Sequence, residues 1–359
     1  MQSPRVVDTG SVEFAGAHSR TVTLPETARP VRTLVPGIAL AVALGALATA
    51  FGRVVPLVGA AVLAVVLGLA VRLAFRPGAW ASPGLRVSSR LPLQVAIVLL
   101  GTGLGLGTVL RVGGTSLPVM LGTLAVALVL GHVLGRALGI ERPLRTLVTV
   151  GTGICGASAI AAVASVLEVE AADLAYAVST IFVFNIAAVL LFPLVGHALG
   201  LGQQTFGLWA GTAVNDTSSV VAAAYAYGHA AGAHAVVVKL TRTTLIVPIV
   251  LALSTQERRR TPSGTIRAAP HWTRIAPPFL LLFIAAAAAN SAGLIDATAR
   301  HALTQVAIFL IAVALAAVGL SAQPAHIAAT GPRPLVLGAL LWVAVASASL
   351  ALQALTGQL

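Results

Sequence analysis

Between residues 33 and 356 the chain passes through eleven stretches of roughly twenty residues in which charged side chains are nearly absent. They are 33–52, 54–75, 91–110, 115–138, 144–166, 173–199, 206–228, 234–254, 275–293, 302–320 and 335–356. A helix of about 20 apolar residues matches the hydrocarbon thickness of a bilayer, and inside lipid the backbone must satisfy its own hydrogen bonds. Helices are therefore the expected elements. With 58% hydrophobic and only 9% charged residues, against about 25% charged in an average soluble domain, the excess apolar surface has to face lipid. The reading is an all-α polytopic membrane protein of about eleven transmembrane helices.

Charge supports the count. The net charge of +12 would suggest nucleic acid in a soluble chain, but here the basic residues lie between apolar runs, where they set topology. With the amino terminus inside, seventeen arginines fall on the cytoplasmic side, and only Arg53, Arg111 and Arg300 fall outside. The expectation is a multi-pass protein of the cell inner membrane, with a cytoplasmic tail (1–32), a transporter domain (33–356), a cytoplasmic basic loop (255–274) and an external carboxyl terminus. The tail has no apolar centre of the kind a signal peptide carries, and it reads as a disordered or surface-lying arm.

Three formal charges remain inside spans: Asp216, Lys239 and Arg242. A charge at the bilayer centre costs about 2.5–3.5 kcal/mol on insertion scales, so such groups are expected to face a partner or a cavity. Lys239 and Arg242, three apart in "VVVKLTRTTLIVP", share a helix face. One carboxylate against two cations leaves a surplus positive charge suited to a small anion. Two plainer readings stand beside it. Lys239 could snorkel to the interface, or Asp216 and Arg242 could form a structural ion pair.

Two segments interrupt the oil. "GTGICGASAIAAVA" (151–164) and "GTAVNDTSSVVAAA" (211–224) superpose without a gap, matching at Gly151/Gly211, Thr152/Thr212, Ser158/Ser218, Ala162/Ala222 and Ala164/Ala224. Glycine costs roughly 1 kcal/mol relative to alanine inside a helix. Transporters use interrupted helices at the membrane midplane, where half-helix amino termini offer N–H groups to anions. The alternative is that small residues simply let helices pack closely. Candidate substrate-binding positions are Gly151, Thr152, Gly153, Cys155, Gly156, Ser158, Asn215, Thr217, Ser218, Ser219, Lys239 and Arg242. Asp216 is the candidate for binding a coupling H+ or Na+. Asn185, a buried amide, either joins it or glues two helices together.

A second echo, Val95 onward against Val306 onward, falls on spans of opposite orientation, as an inverted repeat requires. The glycine-rich pair fits less well, since its two spans run parallel unless one segment re-enters. "GTGLGLG" (101–107) reads as close helix packing, because no βαβ unit is available for a nucleotide loop. The eight histidines show no metal spacing, and Cys155 is the lone cysteine. No nucleophile–base set or paired carboxylates point to an enzyme, and no cofactor is expected.

The segments "GTGICGASAIAAVA", "STIFVFNIAAVLLFP", "FGLWAGTAVNDTSSVVAAAYAYG" and "VVVKLTRTTLIVP" resemble the YeiH-type family, whose members carry the name of sulfate exporters. The resemblance spans roughly 33–356. That family is grouped with bile-acid-symporter-like and sodium/proton-antiporter-like carriers. Membership implies inverted repeats, crossed broken helices, and a core moving against a scaffold, often as a dimer. Members often carry His before the acidic residue of "NDTSS", where this chain has Asn215. Without it, proton coupling would fall to Asp216 alone or be absent. The expected activity is secondary transport of a small sulfate- or sulfonate-class anion. The rivals are a cation/proton antiporter and an anion sensor or scaffold.

Overall fold

The computed structural model describes residues 5–7, 11–13, 22–23, 33–54, 59–75, 77–78, 80–167, 169–260, 278–321 and 332–359. Most of the tail (1–32), part of the basic loop (261–274) and several of the topology arginines lie outside them. Within the tail, Arg5–Val7, Ser11–Glu13 and Val22–Thr23 form a small antiparallel sheet, Val12 standing opposite both Val6 and Val22. The arm thus has local strand structure that its polar composition did not suggest.

Everything else is helical: α1 Val35–Val54, α2 Gly59–Phe75, α3 Ser82–Gly101, α4 Leu106–Ala137, α5 Arg142–Gly153, α6 Ala157–Ala164 and α7 Ala171–Ala198. There follow α8 Gln203–Ala213, α9 Thr217–Tyr227, α10 His229–Thr244, α11 Ile246–Arg260, α12 Pro278–Ser291, α13 Ala297–Leu320 and α14 Pro332–Leu355. Six units are long and apolar enough to cross a bilayer by themselves: α1, α4, α7, α10–α11 together, α13 and α14. One expected boundary moves. The connection between α3 and α4 falls at Thr102–Gly105, inside the expected span 91–110, where Thr102 bonds back to the Leu99 carbonyl and Ser291 caps the Leu106 N–H at 2.7 Å. "GTGLGLG" is therefore mostly a turn, although its first glycine, Gly101, does pack against Phe283.

The larger correction concerns 144–166 and 206–228, neither of which runs straight through. α5 packs antiparallel to α4, with Thr149 on Gly131 and Arg145 on Gly135. After the break at 154–156, α6 folds back so that Ile160 meets Gly151. The next helix begins where α5 began, with Asp173 within Coulombic reach of Glu141. α5–α6 is a hairpin. The same holds for α8–α9. Gln203, at the start of α8, accepts from the Ala231 N–H at 3.1 Å, and the Phe206 and Tyr227 rings stack at 3.8 Å. α8 lies parallel to α10, with Gly207 on Ala231 and Gly211 on Val238, while α9 lies antiparallel to it through Tyr225 and Gly232.

The two hairpins enter from opposite ends. The base of α5–α6 sits at the far end of α11, where Arg142 pairs with Glu257 at 2.9 Å. The base of α8–α9 sits at the start of α10. Among the described residues the eleven expected crossings therefore become nine through-running units and two facing hairpins. This also removes the conflict over orientation: matched segments entering from opposite ends are inverted with respect to each other. α3 and α13, which carry the second echo, are antiparallel neighbours, with Thr304 beside Gly103.

Packing divides the helices into two groups. α1, α2, α3, α12 and α13 share one apolar core around Leu85, Ile97, Phe283 and Val313. The hairpins, α4, α7, α10, α11 and α14 enclose separate clusters around Leu147, Ile160 and Leu341, and around Phe206, Trp209 and Val345. Val221 and Ala222 of α9, with Val236 and Val237 of α10, join the first core and form the seam.

Candidate functional site

The hairpin tips meet at the middle of the molecule. A Cβ placed on Gly156 would lie 3.0 Å from the Cβ of Asp216. Gly156 has φ +67° and ψ −131°, a conformation that essentially only glycine holds without strain. The sixty-residue offset now has a spatial meaning. Residues 151–153 and 211–213 end the first legs, 154–156 and 214–216 form the tips, and Ser158 and Ser218 stand in the first turns of α6 and α9.

Two helix carboxyl ends point at one cation. Lys239, fully buried on α10, donates to the Ile154 carbonyl and to the Val214 carbonyl, each at 2.8 Å. A helix end carries about half an elementary charge, so two of them largely balance one ammonium. Lys239 does not snorkel, and although Asp216 lies within Coulombic reach, the two form no ion pair among the described residues. Its positive charge is spent on the broken ends of α5 and α8.

Two helix amino ends point at the same crossing. The α9 end is capped by Asp216, whose Oδ1 accepts from the Ser219 N–H at 2.6 Å and the Ser218 hydroxyl at 3.0 Å. Its Oδ2 accepts from the Asn185 amide at 3.0 Å. The α6 end, at Gly156, has no side-chain cap. Among the described residues Asp216 pairs with no lysine or arginine, so the structural ion pair with Arg242 weighed from sequence is absent.

Arg242 stands apart. It is fully buried one turn beyond Lys239, within Coulombic reach of Lys239 and Cys155, and among the described residues none of its three guanidinium nitrogens has a hydrogen-bond partner. Both polar atoms of Asn215, in the facing tip, are buried and unpartnered too. Buried polar groups are normally satisfied, and an unpaired buried charge is costly. The surplus positive charge inferred from sequence thus resides on Arg242 rather than on the pair of cations.

The other candidates divide by position. Thr217 and Ser218 are half-buried near Asp216, Ser158 is exposed in the first turn of α6, and Cys155 lies beside Thr243 and the backbone of Ala159. Gly151 and Gly153 serve packing, against Ile160 and Ile181 and against Ala127 and Leu124, while the Thr152 hydroxyl bonds its own helix at Val148. Sequence reading missed the carbonyls of Ile154 and Val214, because backbone acceptors have no residue signature. It also missed Thr149 and Thr180, whose buried hydroxyls are unpartnered.

Comparison with known proteins agrees with the membrane class of the chain. A UPF0324 membrane protein of Streptococcus pyogenes serotype M6 is 38% identical over 325 residues, covering 89% of this chain and 96% of its own. One from Clostridium tetani is 39% identical over 313 residues, covering 84% of this chain and 91% of its own. One from Streptococcus mutans serotype c is 38% identical over 322 residues. The family described as Conserved hypothetical protein 698 matches residues 36–338. On this match and these identities, the chain belongs to this UPF0324, YeiH-type family of membrane proteins.

Proposed function

We propose that the protein is a secondary transporter of a small anion of the sulfate or sulfonate class, coupled to H+ or Na+ through Asp216. The observation that carries this reading is the Arg242 guanidinium, fully buried within Coulombic reach of Cys155 in the first hairpin tip and without a hydrogen-bond partner among the described residues. Arg242, the uncapped end of α6 and the amide of Asn215 together offer positive charge and donors to an oxyanion. In this reading all nine through-running units cross the bilayer, the basic end faces the cytoplasm, and the hairpin bundle moves against the α1–α3, α12 and α13 scaffold. The inverted hairpins support it, because they give each side of the membrane an equivalent approach to the crossing.

Anion flux into proteoliposomes tests the assignment. Asp216→Asn should abolish coupling to the ion gradient, and Arg242→Gln and Lys239→Ala should abolish flux. Unchanged transport in all three would remove the site. One observation favours a second reading, a cation/proton antiporter: Lys239 sits on two carbonyls of the kind that coordinate Na+. Na+ flux with no requirement for an anion would select it.

A further inference from the structure

At the basic end a cleft of ≈ 730 Å³ opens between the last turns of α4, the outer leg of the first hairpin and the end of α11. Arg136, Arg142 and Arg145 line it, with His132 alongside, and Arg145 lies within Coulombic reach of both other arginines. Glu257 pairs with Arg142 at 2.9 Å, whereas among the described residues Arg136 and Arg145 have no carboxylate partner. Three like charges around one opening repel each other unless an anion joins them. Deeper in the cleft stands Thr149, only 5% exposed, whose hydroxyl has no hydrogen-bond partner among the described residues. Val150, also on the wall, precedes the hairpin tip by one turn.

We propose that this cleft is a binding site for a tetrahedral oxyanion, of the sulfate or phosphate type, separate from the crossing at Arg242. Arg136 and Arg145 supply the charge, since a guanidinium fork presents two donors to two oxygens of such a group. Thr149 donates its hydroxyl from below, and Arg142 stays with Glu257. The same chemistry is offered by a free dianion and by the phosphate of an acidic lipid headgroup. Binding here requires no transport, so the site stands or falls independently of the function proposed above.

The test uses the full-length protein in detergent. Equilibrium binding of radiolabelled sulfate and phosphate is measured, together with retention of phosphatidylglycerol against phosphatidylcholine by native mass spectrometry. The double variant Arg136→Gln/Arg145→Gln should weaken binding about tenfold or more, as loss of charge-assisted bonds implies. Thr149→Val, of equal volume, should weaken it less. The opposite-end control Arg300→Gln should leave this site's binding unchanged. A loss confined to free oxyanion identifies a soluble ligand, and a loss confined to phosphatidylglycerol identifies a headgroup. The proposal is overturned if both Thr149→Val and the double variant melt like the parent and bind free oxyanion and acidic lipid as it does.

Discussion

Gly156 and Asp216 touch where the two hairpins face each other, with room for a hydrogen but not for a methyl group, since an added Cβ would stand 3.0 Å from that of Asp216. The contact ties the uncapped amino end of α6 to the residue that caps α9. Gly156→Ala brings both a left-handed backbone strain and this collision. A destabilisation of about 2–4 kcal/mol is expected, read as a lowered midpoint in thermal melts. Replacing Gly200, which also has positive φ but open space around it, should cost only the backbone part, about 1 kcal/mol.

Lys239 holds two otherwise free helix ends together. Lys239→Met keeps the length and apolar stem but leaves the Ile154 and Val214 carbonyls without their donor. The loss is expected at about 2–4 kcal/mol, because buried acceptors are left unsatisfied. Lys239→Arg should not restore stability, since the larger guanidinium has to enter a position with no exposed surface. Denaturation of the purified variants in detergent checks both.

At Asp216, structure and charge can be separated. Asparagine caps helices about as well as aspartate, so Asp216→Asn should melt within about 1 kcal/mol of the parent while losing any response to the coupling ion. Asp216→Ala gives up the bond from Ser219 and should cost about 1–2 kcal/mol. If Asp216→Asn unfolds the protein, the carboxylate's role is structural.

The helical class, most of the apolar segments and the kinship of 151–164 with 211–224 were legible in the chain, because hydropathy and small-residue patterning are properties of residues. The re-entry was not. The arginine tally is insensitive to it: the connections that change sides, 165–170 and 199–202, contain no lysine or arginine. Leg lengths were equally silent. α5 and α6 together hold enough residues to cross a bilayer once, and spatial contacts such as Asp173 near Glu141, Ile160 on Gly151, Gln203 near Ala231 and Phe206 on Tyr227 reveal that each pair turns back. The assignment of Lys239 to the substrate had a similar origin. Sequence counts side-chain charges, whereas its partners are main-chain carbonyls freed by the breaks.

Those side changes can be measured directly. In a background with Cys155 replaced by serine, Glu141→Cys and Glu170→Cys should react with a membrane-impermeant maleimide from the same side, and Leu199→Cys and His229→Cys from the other. All four native residues are exposed. Eleven simple crossings would instead put 141 and 170 on opposite faces, so labelling from different sides would restore the original count.

Arg242 yields the prediction whose sign is least expected. Among the described residues, the buried guanidinium finds no hydrogen-bond acceptor in the protein to offset its removal from bulk solvent. Methionine fills similar volume with no polar group to desolvate, and such exchanges are often neutral or stabilising by about 1–4 kcal/mol. In anion-free buffer, Arg242→Met should therefore melt at or above the parent temperature. Added sulfate should raise the parent's midpoint by ligand linkage and leave that of the variant unmoved at the crossing. Measured together with Arg136→Gln/Arg145→Gln, to remove any contribution from the basic cleft, a flat response isolates Arg242 as the anion's partner. A destabilised Arg242→Met that still responds to sulfate would assign the guanidinium to the fold instead.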